Sequence, residues 1–347
     1  MTSLTCSVIV PARQCAEMLL QSLAAIRAST LPRDRWELIV VDDGSTDDTA
    51  EIAARFADRV LRLPGGPLGP AAARNQGAEV ARGTFLVFVD ADVCVRPTVL
   101  ADFVDAFGDD ERIAAVFGAY DTEPRAPGLV SQYRNLLHHY VHLTNEGDAD
   151  TFWAGCGAVR RSAFVSVGMF DEKRFPRPQI EDIELGYRLV AQGGRILLRP
   201  RIQGTHLKRW TLWRMLTTDF KDRAVPWMAL LLARGNAGRD GTLNVRHTEK
   251  ILTALVGVAL VGMVLAAALV DPRWLLLSLA SIVCVVLGNL PLLRWFAERR
   301  GVWFALAVIP LRLAFYVVSG AGAAWAMFLH ITRRHRKAAP SLRGALQ

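Results

Sequence analysis

The chain has 347 residues, 52% of them hydrophobic, with mean hydropathy +0.23 and formal net charge +8. That length excludes a small disulfide-stapled module and suits one catalytic domain plus an appendage, while that hydropathy is high for a purely soluble protein and points to membrane segments. The charge is unevenly spread: residues 1–205 carry 22 Lys and Arg against 27 Asp and Glu, residues 206–347 carry 19 against 6, so the basic half is also the apolar half, as expected of segments facing an anionic leaflet, and no nucleic-acid recognition module accompanies the excess.

At the N-terminus no secretory signal is expected, because a basic leader is missing and the apolar run Val8–Val10 is short. Residues 4–10 read as a buried strand closed by Pro11, and residues 16–29 place Met18, Leu19, Leu23 and Ile26 at helical spacing. Strands follow at 36–41, 59–63 and 85–90, with helices at 49–57 and 71–82 between them and a Gly/Pro loop at 64–70. Strands alternating with helices predict an α/β domain with a mainly parallel sheet, whose ligands gather at the carboxyl ends of the strands. The five cysteines, Cys6, Cys15, Cys94, Cys156 and Cys284, form no CxxC pair. They are expected as small buried side chains in a reducing compartment.

The texture changes after about residue 206. A catalytic domain is expected over 1–210, an amphipathic interfacial segment over 211–248 interrupted at Pro226, a transmembrane region over 249–332 and a basic tail over 333–347. Residues 251–270 and 274–293 hold no charge and are each long enough for a bilayer core, and a third apolar segment at 302–331 contains Pro310 and Arg312. With the domain in the cytosol, three full spans would put Arg333, Arg334, Arg336 and Lys337 outside, against the preference of such residues for the inside. Two spans followed by a re-entrant or interfacial third segment resolve the conflict.

Two acidic clusters fall at strand ends. Asp90-Ala91-Asp92 ends the apolar run FLVFVD. Two carboxylates one residue apart suit Mg²⁺ or Mn²⁺, hard cations commonly shared with substrate phosphates; a solvated acidic turn or a helix cap uses the same residues. Asp42-Asp43 follow WELIVV, where carboxylates accept hydrogen bonds from a nucleobase or a ribose hydroxyl, while Asp47 and Asp48 cap the next helix. Arg74 of the 71–82 helix either reaches a base or phosphate or forms a surface salt bridge. Further on, Glu181-Asp182-Ile183-Glu184 opens a helical pattern. There the acids either suit the helix dipole or include one that takes a proton from a hydroxyl.

In order, SVIVPA, VVDDGSTDDT, AAARNQGA, FLVFVDADV, GCGAVRRSAFVSVGMFDE and EDIELGYRL resemble the family 2 glycosyltransferases over roughly residues 5–210. The resemblance implies a GT-A fold: a Rossmann-like nucleotide-diphosphosugar transferase domain, here followed by C-terminal transmembrane helices. It also implies inversion at the anomeric carbon. By position, Ala12, Asp42, Asp43 and Arg74 are implied as nucleotide contacts, Asp90 and Asp92 as diphosphate and metal ligands, and Asp182 as the general base. Glu181 and Trp153-Ala154-Gly155 are implied on the acceptor side. His206-Leu207-Lys208-Arg209-Trp210 resembles the QxxRW motif of processive members, with His206 in place of Gln; this implies Arg209 and Trp210 near the acceptor and offers His206 to the metal shell. Gln14 stands where many members have Asn, and Gly155-Cys156-Gly157 lacks the Asn often found nearby.

The expected activity is transfer of a sugar from a UDP- or GDP-sugar, with Mg²⁺ or Mn²⁺, to a hydroxyl of a lipid or lipid-linked acceptor at the cytoplasmic face of the inner membrane. A polyprenyl-phosphate sugar synthase and a polysaccharide synthase are the alternatives within the family. A sugar nucleotidyltransferase is the alternative from another class, although PARQCAE after the first strand is not the Gly-rich basic loop such enzymes carry.

Overall fold

The structure, a computed structural model, describes residues 4–235, 243 and 246–338, the last six by backbone only. Parts of the interfacial segment (236–242, 244 and 245), residues 339–347 of the tail, and the side chains of Arg333, Arg334, Arg336 and Lys337 lie outside the described residues. The chain divides into two compact units, the second starting at Leu212.

The first unit holds nine strands: β1 (Cys6–Ala12), β2 (Trp36–Asp42), β3 (Arg59–Arg62), β4 (Phe85–Val89), β5 (Val93–Val95), β6 (Ile113–Tyr120), β7 (Gly147–Ala149), β8 (Cys156–Arg160) and β9 (Arg195–His206). Its helices are α1 (Ala16–Arg27), α2 (Thr49–Phe56), α3 (Pro70–Val80), α4 (Val99–Phe107), α5 (Leu129–Leu143), α6 (Arg161–Ser166) and α7 (Glu181–Ala191). The strands form one sheet in the order β3-β2-β1-β4-β8-β6-β9-β5, with β7 beside β9.

Successive residues of β1, β2 and β4 feed opposite cores. Val8, Val10, Leu38, Val40, Val87 and Val89 pack with α1, α2 and α4 on one face. Ile9, Ile39, Val41, Leu86 and Phe88 pack with α3, α6 and α7 on the other. Both faces are covered, so these strands read as unbroken apolar runs rather than alternating ones.

The sheet is mixed rather than mainly parallel. β1, β2, β3 and β4 are parallel, but β8 runs antiparallel to both β4 and β6, and β6 pairs parallel with β9. Because β8 reverses between them, β4 and β6 share a direction. The carboxyl ends of β1, β2, β4, β6 and β9 therefore meet at one edge, bringing Ala12, Asp42, Val89, Tyr120 and His206 to it. Strand order reverses beside β1, which is where an open α/β sheet leaves a ligand crevice.

Two local expectations are corrected. Pro11 does not close β1, which runs on to Ala12 against Asp42. Pairing with β4 stops at Ile9, so the proline sits where one neighbour has ended and its missing N–H is tolerated. Nor does Asp48 cap α2 through its side chain. Asp47 does so by accepting from the Thr49 N–H (3.2 Å), and it also accepts from the Ala16 N–H (3.3 Å).

The second unit is helical: α8 (Leu212–Thr218), a π-helical stretch (Asp219–Ala224), α9 (Val225–Ala233), α10 (His247–Leu269), α11 (Arg273–Gly288), α12 (Leu290–Arg300), α13 (Val302–Ala307) and α14 (Ile309–Ala338). Pro226 does not interrupt the 212–233 segment. It falls in the first turn of α9, after the wider π turn, where its lost N–H is accommodated. Among the described residues, two helical runs, His247–Leu269 and Val302–Thr332, are long and apolar enough to cross a membrane, and a third counts if the bent pair α11–α12 is one span. The second apolar segment bends by 57° between α11 and α12. Asn289 sits at the bend and accepts from Arg312 Nε (2.7 Å) and Tyr316 Oη (3.1 Å), while Arg312 also donates to Glu249 (2.7 Å). This buried network ties α10, the bend and α14 together, each charge being neutralised inside the bundle.

Candidate active site

The turn after β4 is fixed by main-chain bonds on both sides. The Asp90 N–H donates to the Gly155 carbonyl (3.1 Å), and the Leu207 N–H donates to the Asp92 carbonyl (2.9 Å). Val93 then pairs with His206 across β5 and β9. The two carboxylates thus leave the turn in set directions.

Asp90 faces Arg74. Its Oδ1 accepts from Arg74 Nη2 (2.7 Å), and Arg74 Nη1 donates to Glu181 Oε1 (2.9 Å) across 107 residues of sequence. Arg74 is 5% exposed, so this is a buried bridge and not a surface salt bridge. Burial opposes its charge, but Asp90, Glu181 and Asp182 outweigh burial and hold the guanidinium above its ordinary range. Replacing Arg74 with Leu leaves these acids without their shared counter-charge. We expect a loss of about 3–5 kcal/mol, read by denaturant unfolding of the full chain in detergent. Lys, a single point charge, should recover only part of it.

Asp182 lies in the first turn of α7. Its Oδ2 accepts from the Ala154 N–H (3.1 Å) and its Oδ1 from the Ile183 N–H (2.8 Å). Burial and the neighbouring Glu181 charge push its carboxyl up to about 7, against the pull of those N–H groups and Arg74. The helix comes this close because Gly186 meets the Thr151–Phe152 backbone, where a Cβ would clash. Glu181 is buried, and its Oε2 accepts from the Gln179 N–H (2.9 Å).

Trp153 is half-buried beside the site, its ring 4.9 Å from Tyr120 and 4.6 Å from His138. A Cβ at Gly155 would come within 2.5 Å of the Trp153 indole, so the glycine seats the ring.

Asp92 faces His206, with Oδ2 3.5 Å from Nε2. Burial pushes the Asp92 carboxyl up, but the His206 ring and the Lys208 charge more than offset it and hold it below the usual range. One carboxylate and one imidazole form a donor pair suited to a divalent cation that takes its other ligands from phosphate and water. Among the described residues, no group of three His, Cys, Asp or Glu suits a metal.

At the other end of the crevice, the Asp43 N–H donates to the Ala12 carbonyl (2.9 Å). The Asp43 carboxylate accepts from the N–H groups of Leu68 (2.7 Å) and Gly69 (2.8 Å), fixing the loop that leads into α3. Asp42 is fully buried; its Oδ1 accepts from the Ser45 N–H (2.9 Å) and its Oδ2 lies 3.6 Å from Arg62 Nε. Both acids organise the protein's own turns. Arg209 is exposed, whereas Trp210 is buried, its N–H donating to Ser131 Oγ (2.8 Å) under the cations of Lys208 and Arg134. Among the described residues, neither is bonded to the Asp90–Asp92 turn.

With this geometry in hand, residues 7–168 match the family model described as Glycosyl transferase family 2. Over those residues the chain is similar to the family 2 glycosyltransferases. It is 27% identical over 207 residues to a probable glycosyltransferase of Bacillus subtilis, covering 56% of this chain and 48% of that one. It is 29% identical over 301 residues to the pre-mycofactocin glycosyltransferase of Mycobacterium tuberculosis, covering 81% of this chain and 56% of that one. The chain spans about half the length of the first curated relatives it matches. Among solved structures, a mannosyltransferase of Pyrobaculum calidifontis, in complex with GDP-Man and Mn²⁺, superposes with TM-score 0.56 at 20% identity over 92% of this chain and 87% of that one. The family 2 domain is thus a mixed α/β sheet of the GT-A type.

Several residues of this candidate site escape a reading of the sequence. Asn135, His138, His139 and His142 lie on α5 at i, i+3, i+4 and i+7, one helical stripe. The His139 and His142 rings bond the carbonyls of Tyr120 (2.6 Å) and Gly118 (2.8 Å), and Asn135 reaches His206 (2.7 Å). The spacing in NLLHHYVH was the available signal. Burial drives His142 down to about 4, so it stays neutral.

Proposed function

We propose that the chain is an inverting glycosyltransferase. It moves a sugar from a nucleotide-diphosphate sugar to a hydroxyl of a lipid or lipid-linked acceptor at the cytoplasmic face of the inner membrane. One observation carries this reading. The Ala154 N–H binds Asp182, and the carbonyl of the next residue, Gly155, binds the Asp90 N–H. The candidate base and the candidate diphosphate turn are therefore held by neighbouring residues of one segment, as a transfer between two substrates requires.

In this reading the nucleotide lies in the crevice between the ends of β1, β2 and β4, lined by Ala12, Asp42 and Asp43. Arg74 acts on the diphosphate end through Asp90. Asp92 and His206 would hold Mg²⁺ or Mn²⁺ together with the donor phosphates, with Asp90 beside them on Arg74, as Mn²⁺ accompanies GDP-Man in the Pyrobaculum mannosyltransferase. A bound cation of this kind supplies charge neutralisation on the departing diphosphate. Asp182 removes the acceptor proton, while Glu181, Trp153, Gly155, Arg209 and Trp210 form the acceptor side.

Two features support this acceptor class. A base near neutrality serves a hydroxyl, whereas a phosphate acceptor is already ionised and needs none. The second unit's outer face is apolar, with Val264, Leu276, Leu279 and Phe328 all exposed, a surface that lipid would cover.

The test is donor turnover by the full chain in detergent, with UDP- and GDP-sugars, Mg²⁺ or Mn²⁺, and with or without membrane lipid extract. The expected result is metal-dependent release of nucleoside diphosphate that rises with lipid. Release of pyrophosphate would identify a nucleotidyltransferase. Absence of metal-dependent donor binding would identify a fold kept without its activity.

A further inference from the structure

The His206 ring is held from three directions. Nδ1 is 2.7 Å from Asn135 Oδ1, Nε2 is 3.5 Å from Asp92 Oδ2, and the Tyr120 ring lies flat against it at 4.4 Å with 12° between the planes. Asn135 is fixed in turn, because its Nδ2 donates to the Ser131 carbonyl (3.1 Å), which leaves Oδ1 towards the imidazole. Both Asn135 and His206 are buried. One turn of α5 back from Asn135, Ser131 Oγ accepts from the Trp210 N–H. Residues 131 and 135 thus grip residues 210 and 206, and the ring can neither slide nor flip freely.

An amide oxygen only accepts, so the shared proton belongs to Nδ1. With Nδ1–H given to Asn135, Nε2 is the ring nitrogen that faces Asp92 Oδ2. A lone pair on Nε2 and the Asp92 carboxylate would then be two donors to one divalent cation. In the opposite tautomer an N–H would point at the same space and keep a cation out.

We propose that Asn135 is the positioning residue that makes His206 a metal ligand: by accepting from Nδ1 it selects the tautomer and ring orientation in which Nε2 and Asp92 share one divalent cation. The proposal rests on the reading of Asp92 and His206 as metal ligands, and its test separates the two.

Mn²⁺ binding to the full chain in detergent is measured by the loss of the free-ion EPR signal, with UDP and, separately, with GDP present. Asn135→Leu is expected to weaken Mn²⁺ binding about 10- to 100-fold, the usual effect of losing a ligand's outer partner. Asn135→Asp keeps an acceptor for Nδ1–H and should return binding to near the parent value. In a His206→Ala background, Asn135→Leu should add nothing, whereas a general loosening of the fold would add its full effect. The ¹⁵N shifts of labelled histidine, with His206→Ala to assign the signal, should give the Nδ1–H tautomer in the parent. This readout stands even if Asn135→Leu does not fold.

Parent-like Mn²⁺ binding in Asn135→Leu, additive effects in the cycle, or an Nε2–H tautomer would each overturn the proposal. If His206→Ala binds Mn²⁺ normally while Asp92→Ala does not, the role of Asn135 falls and the transferase reading survives. If neither substitution changes binding, the metal reading falls and the proposal with it.

Discussion

Asp92→Ala is expected to cut turnover about 1,000-fold or more while leaving the fold in place. A cation at the leaving diphosphate is worth several kcal/mol of transition-state stabilisation, and each 1.36 kcal/mol is a factor of ten in rate. Survival of the fold follows from how the turn is held. The bonds from Asp90 N–H to Gly155, from Leu207 N–H to the Asp92 carbonyl, and along the β5–β9 ladder are all main-chain. Removing the Asp92 side chain breaks none of them. Thermal unfolding should therefore match the parent, while Mn²⁺ binding with UDP or GDP is lost. Asp92→Asn keeps one oxygen without the charge and should fall between the two. If Asp92→Ala turned over donor at the parent rate, the donor pair with His206 would have no part in the reaction.

What the sequence disclosed and what it hid have physical causes. The runs ending in Asp42 and Asp90 were legible because parallel strands buried on both faces are continuously apolar and end in acids. The second half of the sheet was not. β8 is five residues long, and its direction is set by pairing with β4 and β6 and not by any pattern of its own. Asp42, Asp43, Asp90, Asp92 and Asp182 were legible as acids at strand or helix ends. Their partnerships were hidden, since Arg74 and Glu181 meet across 107 residues. The α5 stripe was hidden for another reason. Hydrophobic periodicity assigns a polar face to solvent, whereas Asn135, His139 and His142 turn inward and are satisfied by β6 carbonyls and by His206. In the second unit the charge-free runs were plain, but the 57° bend at Asn289 was not, because only the side chains of Arg312 and Tyr316 reveal what holds it.

The second large effect concerns Asp182. Asp182→Asn is expected to lower kcat about 100- to 10,000-fold, the range of a lost general base, with donor binding little changed, since Asp182 is bonded to Ala154 and Ile183 on the proposed acceptor side of the turn. Asn has one acceptor oxygen for these two N–H groups, so a loss of about 1 kcal/mol of stability should accompany it, too little to unfold the chain. The pH profile carries the sign. A base works only when unprotonated, and burial beside Glu181 raises this one to about 7. Parent activity should hold above that value and fall tenfold per pH unit below it, while Asp182→Asn should lack this limb. A hydroxyl acceptor requires that limb, because its proton has to leave during attack. A phosphate acceptor arrives ionised, so near-parent turnover in Asp182→Asn, with no limb near 7 in either protein, would transfer the acceptor from alcohols to lipid phosphates and leave Asp182 the task of holding the Ala154 N–H.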